Sequence, residues 1–91
     1  MRETTLTLIN PLGLHARAAA KLVDASKPFS SEISLTLGDK TVDAKSIMNL
    51  LMLAAPVGSE IHVAVSGEDE NDAFDAVCEV INAGFYELDE T

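Results

Sequence analysis

A histidine and an arginine two residues apart are the side chains best suited to chemistry in this sequence. His15 and Arg17 follow Gly13, and apolar residues then recur at helical spacing, which places His15 at the N-terminus of a helix. The first N–H groups of a helix lack internal partners and carry partial positive charge, so they attract anions, above all phosphate. An imidazole at this point can itself accept a phosphoryl group. Arg17 can bind the phosphate oxygens through its planar guanidinium.

Backbone groups complete the predicted anion site, and spacing alone leaves an alternative open. The N–H groups of Ala16, Arg17 and Ala18 would bind the phosphate, and we interpret Gly13 as a turn that brings the backbone close to it. A single histidine near a helix start is, however, usually a cap or a surface group. The other histidine, His62, has no Cys, His or carboxylate partners at metal-ligand spacing. We therefore predict a surface position for it, no metal site and no cofactor.

Four strands and three helices must position these residues. Polar and apolar residues alternate in four segments, which we predict as strands, at residues 5–8, 32–37, 40–43 and 60–66. The first helix runs from about residue 16 to 27 and ends before Pro28, and the second begins near Ser46. Asp69 can cap the third, which Gly84 would stop. Because each strand has one polar and one apolar face, we predict an α+β fold whose antiparallel or mixed sheet is covered by helices on one face.

The second helix is more apolar than a one-sided helix requires. Ser46 is most simply its N-cap, and the buried stripe would consist of Ile47, Leu50, Leu51 and Leu53. Met48 and Met52 are left over, and both could fill core gaps. We assign Met52 to the core and Met48 to a docking patch beside His15, because exposed methionine adapts to several partners. The predicted docking residues are Leu14, Ala18, Ile47, Met48 and Leu51.

Length, cysteine content and charge limit the classes of function. The 91 residues predict one domain, 1–91, and the single cysteine, Cys78, predicted to lie in the core, cannot form an internal disulfide. No signal-peptide pattern opens the sequence, and no apolar run approaches the length of a membrane helix, so we expect a cytoplasmic protein. The net charge is −9, and positions 46–91 contain ten acids and no Lys or Arg. This charge disfavours nucleic acid and membrane surfaces and favours partners with positive or apolar surfaces.

Two segments in the correct order and spacing resemble the paired signatures of the HPr family, the histidine phosphocarriers of the bacterial phosphotransferase system. They are residues 13–17, Gly-Leu-His-Ala-Arg, and residues 44–48, Ala-Lys-Ser-Ile-Met. The resemblance covers nearly the whole chain, and one departure is Ala18, where the family commonly has proline. It implies an open-faced β-sandwich, with a four-stranded antiparallel sheet of order 1-4-2-3 and three helices on one face.

The same resemblance implies partners and roles. Enzyme I, charged by phosphoenolpyruvate, would transfer phosphate to His15, which would pass it to an Enzyme IIA domain as a stoichiometric carrier and not as an enzyme. The family uses the δ1 ring nitrogen, a choice of atom that sequence cannot show. Ser46 matches the regulatory serine that HPr kinase/phosphorylase phosphorylates in many members, and we expect a monomer.

Two rival functions stay open at this point. A regulatory paralogue, in particular a nitrogen-branch carrier, is favoured by the ending at residues 81–85, Ile-Asn-Ala-Gly-Phe, whereas residues 44–48 favour ordinary HPr. A small phosphohydrolase with a phosphohistidine intermediate is the enzyme alternative. It lacks an obvious second acid–base residue near the motif, and release of free phosphate would identify it.

Overall fold

The computed structural model describes residues 1–87, and within them the chain folds into a four-stranded sheet and three α-helices. A short turn, the C-terminal turn, follows the last helix at Gly84–Tyr86. The element order matches the one predicted from hydrophobic periodicity. The elements are β1 Arg2–Thr7, α1 Ala16–Ser26, β2 Glu32–Leu37, β3 Lys40–Asp43, α2 Ile47–Leu53, β4 Glu60–Ser66 and α3 Glu70–Asn82.

The sheet has the order β1-β4-β2-β3, and each neighbouring pair is antiparallel. Val63 lies at its centre, opposite Thr4 on one side and Leu35 on the other. Alternate β4 residues are buried beneath the helices, as expected when one face of an antiparallel sheet covers the core. The α+β class and the order 1-4-2-3 are confirmed.

The helices form one layer on the sheet and fix the position of the loop that carries His15. Helix α1 packs against both α2 and α3, and α3 packs against β1 and β4. Leu22 of α1 and Val77 of α3 are fully buried, and so is Phe85 of the C-terminal turn. Helix α1 is therefore held between α2 on one side and α3 with the C-terminal turn on the other.

Asp69 precedes α3 as predicted, but its side chain does not cap the helix. Its carboxylate accepts hydrogen bonds from the Ser31 hydroxyl and from the backbone N–H groups of Ser30 and Ser31, the latter two at 2.9 Å. The Ser31 hydroxyl, followed by the Ser30 N–H, lowers the pKa of Asp69 to about 2. The capping prediction is wrong because the loop before β2 offers this carboxylate three donors.

Cys78 differs in part from expectation, whereas His62 lies at the surface as predicted. Cys78 is half-buried and not fully in the core, and burial raises the pKa of its thiol. His62 lies on the open side of the sheet, where its Nε2 is 2.9 Å from Glu3 Oε1. Within residues 1–87, no helix is long and apolar enough to cross a membrane, and no group of three or more candidate side chains could hold a metal ion.

Candidate functional site

His15 is the N-cap residue of α1, as the sequence predicts. Its backbone is extended, with φ −86° and ψ −178°, and its carbonyl accepts the first intrahelical hydrogen bond, from the Ala19 N–H at 2.8 Å. The N–H groups of Ala16, Arg17 and Ala18 therefore have no partner within the helix, which is the arrangement that attracts an anion. The imidazole makes no capping hydrogen bond, so the alternative of a capping histidine is wrong.

A tight turn at residues 10–13 places His15 at this position. The Gly13 N–H donates to the Asn10 carbonyl at 3.0 Å, with Pro11 at the second position that favours such turns. Gly13 has a φ of +65°, and an added Cβ would collide with the Ala55 carbonyl oxygen and lie 2.9 Å from Pro56 Cα. The close approach that requires glycine is thus to the segment after α2. The sequence-based interpretation, an approach of the backbone to the phosphate, is therefore replaced by packing against Ala55 and Pro56.

Gly13→Ala should destabilise the protein strongly, and Gly38→Ala is a matched control. Gly38 has nearly the same φ, +63°, but nothing lies within 4 Å of its added Cβ. We expect Gly38→Ala to lower the free energy of unfolding by about 1 kcal/mol through backbone strain alone. Gly13→Ala should cost about 2 to 4 kcal/mol because a steric clash is added. Urea unfolding of both variants measures the difference, and equal losses would contradict the packing role of Gly13.

A carboxylate that sequence analysis does not single out contacts the imidazole. Glu87 Oε2 lies 2.6 Å from His15 Nε2, and Glu87 Oε1 accepts a hydrogen bond from Asn10 Nδ2 at 2.9 Å. Asn10 is fully buried, and its Nδ2 also donates to the Gly13 carbonyl at 2.6 Å. Burial raises the pKa of Glu87, but the hydrogen bonds from Asn10 and His15 outweigh that effect and leave it below the usual value.

Arg17 lies on the exposed side of α1, next to an open cleft. The cleft has a volume of about 300 Å³ and is lined by Pro11, Leu12, Arg17 and Glu87. A planar guanidinium at the edge of this space can bind the oxygens of a phosphoryl group. A larger groove of about 480 Å³ lies among residues of β2, β3 and β4 and contains none of the predicted site residues.

The structure changes the membership of the predicted docking patch. Leu14 is only 4 % exposed and Ala18 is fully buried, so the prediction that they belong to an exposed patch is wrong. Both side chains belong to the core cluster, Leu14 from the loop before α1 and Ala18 from the buried face of that helix. Ile47 and Leu51, which we also predicted in the buried stripe of α2, are exposed, as is Met48 at 69 %.

Three more apolar side chains extend the exposed surface. Met52, predicted to be core, is 67 % exposed, and Leu12 and Val57 are also exposed. The end of α2 adjoins the His15 loop because the Leu14 N–H donates to the Ala55 carbonyl at 2.9 Å. We call this surface the apolar patch and define it by Leu12, Ile47, Met48, Leu51, Met52 and Val57.

Ser46 caps α2 as predicted. Its hydroxyl accepts a hydrogen bond from the Asn49 N–H at 3.3 Å, and its side chain is half-buried. Met48 and Ile47 follow directly in the chain, so Ser46 lies at one end of the apolar patch. A negative charge on this residue would stand beside the N–H groups that begin the helix.

Comparisons with known proteins place the chain among its relatives. Residues 2–83 match the family model described as the PTS HPr component phosphorylation site. The phosphocarrier protein HPr of Pseudomonas putida is 48% identical over 88 residues, covering 96% of this chain and 98% of the relative. The phosphocarrier protein NPr of Shewanella violacea is 41% identical over 85 residues, 93% of each chain. The crystal structure of HPr-C-His from Thermoanaerobacter tengcongensis has a TM-score of 0.91 and 38% identity, covering 96% of this chain and 98% of that one.

Proposed function

The chain belongs to the HPr family of phosphocarrier proteins of the phosphotransferase system, and from this premise we propose that it relays phosphate from Enzyme I to an Enzyme IIA domain. In this relay phosphoenolpyruvate charges Enzyme I, and His15 carries the phosphoryl group. The observation that carries the proposal is the position of His15 at the N-cap of α1, where its imidazole makes no capping hydrogen bond. The protein acts as a stoichiometric carrier in the cytoplasm, and we expect it to be a monomer.

The proposed transfer is an in-line displacement at phosphorus. A ring nitrogen of His15 bonds to phosphorus as the bond between phosphorus and the donor atom of Enzyme I breaks. Charge spreads over the three equatorial oxygens in such a transition state. The Arg17 guanidinium and the N–H groups of Ala16, Arg17 and Ala18 are the preorganised donors that stabilise it. In the second transfer, an acceptor atom of the Enzyme IIA domain bonds to phosphorus as the bond between phosphorus and His15 breaks.

The apolar patch is the proposed docking surface for both partners. It adjoins the His15 loop, and it has the exposed methionines that adapt to differently shaped partners. Ile47, Met48 and Leu51 are the predicted docking residues that are exposed, and Leu12, Met52 and Val57 are exposed as well. Because the second half of the chain is strongly acidic, partner surfaces with positive charge around an apolar centre would match it.

A nitrogen-branch carrier is the second candidate. The 41% identity to a phosphocarrier protein NPr favours it, as does the ending at residues 81–85, Ile-Asn-Ala-Gly-Phe. Charging by the sugar-branch and nitrogen-branch types of Enzyme I, measured side by side with phosphoenolpyruvate, separates the two functions. Faster charging by the sugar-branch enzyme supports the relay to sugar-specific Enzyme IIA, and faster charging by the other type replaces it with the nitrogen branch.

We propose that Ser46 is a regulatory site that HPr kinase/phosphorylase would modify, and Ser46→Asp tests the effect of its charge. Aspartate can keep the cap on α2 while adding a negative charge beside the apolar patch. We expect a protein as stable as wild type that binds charged Enzyme I several-fold more weakly. High salt should partly restore binding, because screening weakens exposed charge effects.

The control for this variant is Ser46→Asn, which has nearly the same shape and capping ability as aspartate but no charge. Titration of Enzyme I against the three proteins at two salt concentrations measures the effect. If both variants bind Enzyme I with wild-type affinity, Ser46 acts only as a helix cap and its regulatory role is contradicted. Equal weakening by Asn and Asp would show that shape, and not charge, is responsible.

A further inference from the structure

The contact between Glu87 and His15 joins two residues that lie 72 positions apart in the chain. The side chains are only 8 % and 25 % exposed, so the contact is largely shielded from water. One carboxylate oxygen faces His15 Nε2 at 2.6 Å, and the other accepts from the buried Asn10 at 2.9 Å. Both oxygens of Glu87 are therefore held by groups of the loop that carries His15.

A special backbone conformation places Glu87 there. Gly84, Phe85 and Tyr86 have φ values of 62°, 56° and 60°, a left-handed turn that non-glycine residues rarely adopt. The buried Phe85 ring anchors this turn in the core, and Lys21 Nζ donates to the Phe85 carbonyl at 2.8 Å. Strain of this kind persists only where the surroundings fix it, and it clusters at functional sites.

The chemistry of the two groups fixes the direction of their hydrogen bond. The lowered pKa of Glu87 keeps it an ionised carboxylate near neutral pH, and a carboxylate only accepts hydrogen bonds. His15 Nε2 must therefore donate. A neutral imidazole has a single N–H, so a hydrogen on Nε2 leaves the lone pair on Nδ1. In Ser-His-Asp enzymes, an orienting carboxylate fixes the tautomer of the catalytic histidine in this manner.

We propose that Glu87 is a positioning residue for phosphoryl transfer, which holds the hydrogen of His15 on Nε2 so that Nδ1 presents its lone pair to phosphorus. This inference rests on the proposed function, because it assigns a role within the same transfer. When Nδ1 bonds to phosphorus and the bond between phosphorus and the donor atom of Enzyme I breaks, the hydrogen stays on Nε2. The ring then carries positive charge, and the Glu87 carboxylate lies beside it to stabilise that charge.

Glu87→Gln gives the sharpest test, because an amide has one accepting and one donating end. Asn10 Nδ2 is a donor that also binds the Gly13 carbonyl, so the Gln oxygen should face Asn10. The Gln NH₂ group then faces His15 Nε2, which must accept and leave the hydrogen on Nδ1. The substitution keeps the size and both hydrogen bonds but inverts the tautomer.

The readout is the ¹⁵N spectrum of the ring, recorded at a pH where the imidazole is neutral, together with the rate of charging by Enzyme I. In wild type we expect the hydrogen on Nε2, and in Glu87→Gln on Nδ1, with charging slower by about tenfold or more and the affinity for Enzyme I little changed. Glu87→Ala removes the side-chain partner of Nε2 and leaves the tautomer to solvent. Its tautomer populations and its charging rate should lie between those of wild type and Glu87→Gln. Glu79→Gln removes the same charge at an exposed position of α3 and should behave as wild type.

An unchanged tautomer in Glu87→Gln overturns the positioning role, and so does charging of Glu87→Gln at the wild-type rate. Faster charging of the variants would instead mean that the carboxylate repels the incoming phosphoryl group. The spectroscopic comparison does not need Enzyme I, so it tests Glu87 even if wild-type protein is never charged. Failure of wild type to be charged contradicts the proposed function alone.

Discussion

A protein with His15→Ala should accept no phosphoryl group from charged Enzyme I while it folds as wild type does. The His15 side chain is the proposed site of the new N–P bond, so its removal leaves no nucleophile for the transfer. It is partly exposed and lies outside the core cluster, so its removal opens no core cavity. Glu87 keeps its hydrogen bond from Asn10 in the variant. Phosphate incorporation and the midpoint of thermal unfolding measure the two expectations.

The matched control is His62→Ala, which removes the other histidine of the chain. His62 contacts Glu3 on the open side of the sheet and has no part in the proposed site. This variant should accept phosphate at the wild-type stoichiometry. Incorporation into the His15→Ala protein at that same stoichiometry would place the phosphoacceptor elsewhere.

The second large effect is expected for Arg17→Ala, which should slow transfer by about 10 to 1,000 fold, as the loss of one preorganised charge-stabilising donor does. Stability should stay within roughly 0.5 kcal/mol of wild type, because Arg17 is exposed on α1. Arg17→Lys keeps the charge but loses the planar pair of donors, so it should restore transfer only in part. Rates of charging by Enzyme I and of discharge to Enzyme IIA give the measurement.

Arg2→Ala serves as the control for net charge. Arg2 lies on β1, where it bonds Asn71 at 2.7 Å and covers the Phe74 ring, and it takes no part in the His15 site. Its loss should leave the transfer rates as they are. Wild-type rates for Arg17→Ala in both directions would remove Arg17 from the site, and equal losses for Arg2→Ala and Arg17→Ala would reduce its role to overall charge.

Most of the fold can be predicted from the short-range pattern of polar and apolar residues. Alternation in β2 and β4 and helical spacing in α1 and α3 identify these elements without tertiary information, because one buried face dictates the period. The pattern does not predict the strand order, since several orders bury the same faces. The family resemblance, and not the pattern, implies the order 1-4-2-3.

Errors in the predicted site arise where burial depends on neighbours. Helix α2 has only seven residues, and its contact with α1 and β3 buries just Leu50 and Leu53. An apolar pattern does not show which of the remaining apolar side chains are exposed, so it predicts a core position for Met52. The position of Leu14 directly before His15 predicts exposure, but Leu14 is buried after the turn at Gly13.

Local sequence analysis cannot predict the carboxylate that contacts His15. Glu87 lies in an acidic ending that is typical of a solvated tail, and nothing in its neighbourhood signals a histidine partner. The sequence predicts Gly84 as a helix stop, and in the structure it follows the end of α3 and is the first of three left-handed residues. Such a turn with Phe85 and Tyr86 is stabilised by tertiary contacts, which sequence propensity does not contain.

The measurement that tests the proposed relay most directly is intact-mass analysis of the wild-type protein after incubation with phosphoenolpyruvate and Enzyme I. We predict the addition of one phosphoryl group, stable to base and labile to acid as a phosphoramidate is, and located on His15 by fragmentation. No added mass, or a phosphate on another residue, would contradict the phosphocarrier role of His15. Steady release of free phosphate by the isolated charged protein would instead indicate a phosphohydrolase.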